Sequence, residues 1–148
     1  MKTVNKFSIK FPSRSANESF ARTVVSAFAA QLDPTIEEIS DIKTAVSEAV
    51  TNSIVHAYKN QVGDIYITCE QYDSGDVRIK IRDKGCGIED VKKAMEPLYS
   101  SEGGERAGLG FSVMESFMDS LRVSSKPGKG TTVILRKKIS VKNNVGQK

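Results

Sequence analysis

TIEEISDIKTAVSEAVTNSIVHAY, residues 35–58, is the most informative stretch of the chain. Thr35-Ile36-Glu37-Glu38 has the spacing of a capping box, in which a hydroxyl and a carboxylate each satisfy a backbone N–H at a helix start. Ile36, Ile39, Ile42, Val46, Ala49, Val50 and Ser53 then recur at helical spacing, so a helix is expected to about Tyr58. At about 100° per residue, Ile39, Ile42, Val46, Val50 and Ser53 share one sector. Glu48 and Asn52 fall on the opposite side, one turn apart and stacked. Such a pair fits either a solvated polar face or a metal–phosphate site. Asn offers Mg²⁺ an oxygen without adding charge, and Glu can orient or deprotonate a hydroxyl. Val55 lies on the same side, which points to a face covered in part by protein or ligand.

Nearer the N-terminus, Phe7, Ile9 and Phe11 alternate with polar residues as a strand, closed by Pro12. Ser15-Ala16-Asn17-Glu18 again has capping-box form, with Ser15 the expected N-cap. Ala16, Phe20, Val24, Phe28 and Leu32, spaced by fours, predict a first helix that Asp33-Pro34 breaks. Ile65, Ile67 and Cys69, then Val77, Ile79 and Ile81, alternate around the turn residues 73–76, predicting a β-hairpin. Residues 89–95 predict a short helix ended by Pro97, 98–108 a mobile polar loop, and 111–118 a helix. Two closing strands, from Val123 and from Thr131 to Lys137, flank a turn at 126–130. The order predicts an α+β fold: a mixed, mostly antiparallel sheet with helices on one face. One domain over residues 1–140 is expected, with a basic, disordered tail at 141–148.

The formal charge of +4 is a property of the C-terminus. Residues 136–148 hold Arg136, Lys137, Lys138, Lys142 and Lys148 and no acid, leaving 17 basic against 18 acidic residues elsewhere. A near-neutral body gives no dominant footprint for nucleic acid. No apolar run is long enough for a membrane span, and residues 1–6 lack a signal core, so a cytoplasmic protein is expected. Cys69 and Cys86 have no Cys-x-x-Cys partner or His cluster, which argues against structural zinc and reads as reduced thiols.

Eight of the 11 glycines lie between residues 85 and 130. Gly108-Leu109-Gly110 is expected just before a helix, where backbone N–H groups favour phosphate. No Gly-Lys-Ser/Thr follows, so this is not a Walker loop. Asp83-Lys84-Gly85-Cys86-Gly87 ends a strand with a carboxylate and room beside it, fit either for an exocyclic amine or simply for a turn.

Taken in order, Glu48-Ala-Val-Thr-Asn52, Asp83-Lys-Gly-Cys-Gly87, Gly108-Leu-Gly110 and Gly130-Thr131-Thr132 resemble the nucleotide-binding boxes of the GHKL ATPase/kinase superfamily. Gyrase, Hsp90 and histidine kinases belong to it, and the resemblance covers about residues 7–138. Asn17-Glu-Ser-Phe-Ala-Arg22, Gln31-Leu-Asp-Pro-Thr35, Val46-Ser-Glu-Ala-Val-Thr-Asn52 and Met114-Glu-Ser-Phe-Met-Asp119 are similar to the sporulation anti-sigma kinases within it.

The resemblance implies a Bergerat-type two-layer sandwich that binds ATP or ADP with Mg²⁺. By position it implies Asn52 as Mg²⁺ ligand and Glu48 as catalytic base. Asp83 would read the adenine amine, Gly87 would admit the base, and Thr131 would support that end. Gly108 and Gly110 would hold phosphates, residues 98–108 would form a lid, and Arg106 would reach the terminal phosphate or a partner. It further implies a homodimer that holds a sigma factor through Arg22, with Glu18 beside it, and phosphorylates a serine of an anti-anti-sigma protein. Lys84 stands where the family commonly has an acid, and the lid has Gly103-Gly104 and no proline. Two other readings are a sigma-sequestering module that binds nucleotide without transferring phosphate, and a general-stress anti-sigma kinase. A detached histidine-kinase catalytic domain is disfavoured, because no dimerisation helix with a phosphoacceptor histidine is present in the sequence.

Overall fold

A computed structural model describes residues 1–96 and 104–140, with the backbone alone for 104–109. Five strands, β1 (Thr3–Pro12), β2 (Asp64–Tyr72), β3 (Asp76–Asp83), β4 (Ser120–Lys126) and β5 (Gly130–Lys138), form one sheet in the order β1-β2-β3-β5-β4. Every pairing is antiparallel, so the sheet expected to be mixed but mostly antiparallel is antiparallel throughout. Helices α1 (Ala16–Ala29), α2 (Ile36–Thr51), α3 (Val91–Ala94) and α4 (Gly104–Phe117) complete the fold. The tail 141–148 and residues 98–103 of the expected lid lie outside the described residues.

The period of two along each strand sets two rows of core residues under the helices. Phe7, Cys69, Ile79, Leu135 and Leu121 stand in one cross-strand row, and Ile9, Ile67, Ile81, Val133 and Val123 in the next. The opposite face carries Lys10, Lys80, Arg82 and Arg122 and faces solvent; Arg82 lies 4.6 Å from the Tyr66 ring centre. Both cysteines are free, and burial pushes the Cys69 thiol up to about 12, so it behaves as an inert core residue.

α2 starts as its sequence dictates. Thr35 Oγ1 accepts the Glu38 N–H at 3.1 Å, and Glu38 Oε1 accepts the Thr35 N–H at 2.8 Å. Glu38 Oε2 also accepts the Ser140 N–H at 2.9 Å, tying the end of the described chain to this cap. Partial burial works to raise the Glu38 pKa, but the N–H donors of Thr35 and Ser140 outweigh it, and the net shift is downward. A carboxyl lowered in the folded state contributes stability that is full above its ordinary value of 4.5 and lost as pH falls through the folded value. Glu38→Gln keeps an acceptor oxygen but no titration. Denaturant midpoints measured down the acid limb are expected to fall less steeply for this variant than for the wild type.

The first helix departs from expectation twice. Ser15 is helical (φ −58°, ψ −33°), so the Glu18 N–H donates to the Ser15 carbonyl at 3.2 Å and not to its hydroxyl, while the Glu18 carboxylate is turned toward Arg22 and Ser47. The buried face is Ala21, Val25, Ser26, Phe28 and Ala29, while Phe20 is half exposed. A spacing of four advances about 40° beyond a full circle at each step, so a run of fours drifts off one face. Ile36, counted in the α2 stripe, is also exposed, at the first position of that helix.

Candidate functional site

The third helix-facing row of the sheet changes character along its length. It begins with Phe11 and Ile65, reaches Asp83, and is continued by Thr131 and its partner Ser125. Asp83 is only 4% exposed. Its Oδ1 accepts the N–H groups of Gly85 (3.0 Å) and Thr131 (3.1 Å), and its Oδ2 accepts the Ser53 hydroxyl at 2.8 Å. A carboxylate has about four lone-pair sites, so these three bonds leave one acceptor position, on Oδ2. Thr131 Oγ1 in turn meets Ser125 Oγ at 2.8 Å.

Ser53 reaches Asp83 from the point where the helix widens after α2. Residues Asn52–Ala57 form a π-helix, with the Tyr58 N–H bonded to the Ser53 carbonyl five residues back at 3.1 Å. Such widenings are rare and frequent at functional sites. The helical wheel places Ser53 on the apolar stripe, and a lone hydroxyl there is the available sign of a buried polar partner. Tyr58, just beyond, donates to the Asp64 carbonyl at 2.6 Å and accepts the Lys84 N–H at 2.7 Å. Burial raises its phenol pKa, the Lys84 N–H works against this, and the Asp83 charge adds to it. Tyr58 thereby holds the segment after Asp83 in place.

Gly87 has φ +77°, and a Cβ there would fall on the Lys126 carbonyl oxygen and crowd Pro127. In this fold its missing side chain is required by the approach of the 126–130 turn, which is pinned by the Gly128 N–H donating to the Cys86 carbonyl at 2.7 Å. Gly87→Ala is expected to cost about 3 kcal/mol, since left-handed backbone strain adds to the overlap. The denaturant midpoint reads this directly, and an unchanged midpoint would contradict it.

Glu48 and Asn52 lie together on α2 and the first residue of the π-helix, both partly buried. α4 packs across them at Gly110, where an added Cβ would stand 3.2 Å from both Asn52 Oδ1 and Glu48 Oε1. The face marked by Val55 is thus covered in part by protein, with Val55 itself 48% exposed. Asn52 Nδ2 is buried and has no hydrogen-bond partner among the described residues. An orphaned buried amide costs free energy and fits a group supplied from outside the chain.

Gly108 and Gly110 correct an expectation. They do not precede the helix: α4 begins at Gly104, so both lie inside it. Two glycines cost a helix roughly 1 kcal/mol each, but close packing on α2 outweighs propensity. α4 is also anchored at its other end. Lys137 of β5 is buried, its Nζ donates to the Phe117 carbonyl at 2.6 Å, and it pairs with Asp41 of α2 at 3.2 Å. The Arg106 side chain lies outside the described residues.

The described residues thus bring together Glu48, Asn52 and Gly110 on one side, and Ser53, Asp83 and Thr131 on the other. The adjacent residues Asn52 and Ser53 join the two groups. No group of three His, Cys, Asp or Glu side chains that could hold a metal occurs among the described residues. That donor set suits an ion carried in largely by phosphates, with one or two protein oxygens, rather than a resident metal. Glu18 and Arg22 sit apart on α1, 3.2 Å from each other.

Comparisons with known proteins place the chain's family and fold. The family model described as histidine kinase-like ATPase domain matches residues 11–137. The chain is 61% identical over 136 residues to an anti-sigma F factor of Caldanaerobacter subterraneus subsp. tengcongensis, covering 91% of this chain and 94% of the relative. It is 53% identical to an anti-sigma F factor of Clostridium acetobutylicum, covering 93% of this chain and 96% of the relative. Among solved structures, the RsbU and RsbW domains of Rv1364c from Mycobacterium tuberculosis align with a TM-score of 0.69 at 21% identity, over 94% of this chain and 34% of that one. Full-length ShkA in complex with AMPPNP aligns with a TM-score of 0.59 at 17% identity, over 86% of this chain and 30% of that one. At such identities these two structures establish the shared fold. No helix among the described residues is long and apolar enough to cross a membrane.

Proposed function

The chain belongs to the histidine kinase-like ATPase family, and on that premise we propose that it is an anti-sigma factor and protein serine kinase. It holds a sporulation sigma factor of the sigma F type, acts as a homodimer, and uses Mg-ATP to phosphorylate a serine of its anti-anti-sigma antagonist. The names of relatives at 53–61% identity support the sigma-binding part. The observation that carries the enzymatic part is the unpartnered Asn52 amide beside Glu48, under Gly110 of α4.

Each residue has a task in this reading. Bound Mg-ATP supplies the transferable γ-phosphoryl group together with charge neutralisation. Asn52 offers its side-chain oxygen to Mg²⁺. Asp83 accepts the adenine amine at the Oδ2 position that Ser53 leaves open, and Thr131 fixes Asp83. Gly108 and Gly110 let α4 lie close to the phosphates. Arg106 meets the terminal phosphate or the protein substrate, where its planar fork suits phosphate oxygens. Glu48 receives the proton of the substrate serine as its oxygen bonds to phosphorus, the bond to the β-phosphate breaks, and ADP leaves. Positioning supplies most of the rate in such a transfer. Arg22, with Glu18, contacts the sigma factor.

Incubation with γ-labelled Mg-ATP and the antagonist, followed by mapping of the label, tests the proposal. Label on an antagonist serine is expected. Tight nucleotide binding with no transfer would instead make the protein a nucleotide-gated sequestering module.

A further inference from the structure

Arg22 and Glu18 would ordinarily form a weak surface pair. An exposed i,i+4 ion pair is worth only a few tenths of a kcal/mol and does little to fix two long side chains. Here a third group intervenes from another helix. Ser47 of α2 directs its hydroxyl at Glu18 Oε2 in a very close contact, and Arg22 Nη1 lies 3.4 Å from the same Ser47 oxygen. Arg22 Nη1 also donates to Glu18 Oε2 at 3.2 Å. All three side chains are partly buried, and the carboxylate is the more enclosed of the charged pair, 24% exposed against 41% for Arg22. One nitrogen of the guanidinium is thereby anchored, while Nε and Nη2 make no hydrogen bond among the described residues and remain available to a protein ligand.

We propose that Ser47 is a positioning residue: its hydroxyl, held between Glu18 and Arg22, fixes the guanidinium at the partner-binding face and keys it to the turn of α2 that carries Glu48. The inference rests on the reading of Arg22 as a partner contact. Ser47 and Glu48 are consecutive, and roughly 100° of helix separates them. One turn thus faces α1 through Ser47 and α4 through Glu48, whose Oε1 lies against Gly110. The sequence alone leaves Ser47 as one more small residue of α2. Its role comes from a contact 29 residues away in the chain.

The test uses the full chain with purified sigma factor and antagonist, comparing Ser47→Ala, Ser47→Thr, Glu18→Gln, Arg22→Ala and the double variant Ser47→Ala/Glu18→Gln. Alanine is the better helix former, so Ser47→Ala does not put folding of α2 at risk. Loss of one bond to a charged group predicts about tenfold weaker partner binding for Ser47→Ala, and recovery to within about twofold in Ser47→Thr, which keeps the hydroxyl. The weakened contact is the one to the sigma factor, so kcat for transfer to the antagonist and Mg-ATP affinity are expected to stay at their wild-type values. The double variant should bind no more weakly than Glu18→Gln, because the two residues act through one contact. Wild-type binding in Ser47→Ala, failure of threonine to rescue, or additive losses in the double variant would overturn the inference while leaving the partner reading intact if Arg22→Ala still abolishes binding. Unchanged binding in Arg22→Ala would overturn both.

Discussion

Glu48→Gln is expected to lower the rate of phosphate transfer to the antagonist by about 10²–10³-fold while leaving Mg-ATP affinity within about twofold of wild type. Glutamine has nearly the same shape as glutamate, so the close packing of this side chain against Gly110 of α4 can persist. What is lost is the proton acceptor. The loss is bounded because transfer through a loose transition state depends chiefly on positioning and charge, which the variant retains. Single-turnover transfer, measured beside a nucleotide titration, separates chemistry from binding. Transfer at the wild-type rate would remove Glu48 from the role of base.

Asp83→Asn should act on binding rather than on the chemical step. The Asn carbonyl oxygen can take the place of Oδ1 and keep the N–H groups of Gly85 and Thr131. Its amide nitrogen then replaces Oδ2, where Ser53 can turn its hydroxyl to accept instead of donate. The fold survives at a cost of about 1 kcal/mol. The one open acceptor position becomes a donor and confronts the adenine amine with a second N–H₂. Sites built around a buried hydrogen bond reject mismatched partners strongly, so ATP affinity should fall at least about 100-fold. Isothermal titration with a melting curve on the same sample distinguishes this outcome from unfolding. Native affinity in a folded variant would show that Asp83 only braces the 83–87 loop.

The two capping-box sequences show where local reading succeeds and where it stops. Thr35–Glu38 forms its box because the four residues find their best partners in one another. Ser15–Glu18 has the same pattern, but Ser47 and Arg22 take the Glu18 carboxylate. Arg22, four residues on, can be read from the first helix itself, but Ser47 comes from another helix and nothing in that stretch announces it. The strand alternation is legible and carries far: it places Asp83 under the helices once the register is known. The Glu48/Asn52 pairing is legible from the helical wheel, and Gly110 supplies the cover at which Val55 hints. Gly108 and Gly110 look like the end of a loop because glycine disfavours helices; the gain from packing α4 on α2 exceeds that local penalty. The wheel places Ser53 on the buried face, but the π-helix that follows leaves no periodic signature of its own.

In the proposed function, Asn52, Glu48 and Asp83 line one site for a magnesium–nucleotide. Titration of ATP into the wild type and Asn52→Ala, each with and without Mg²⁺, tests it most directly. Magnesium-dependent binding by the wild type, weakened about tenfold or more in the variant, is the expected result. Equal binding by both proteins, or none by the wild type, would contradict the account.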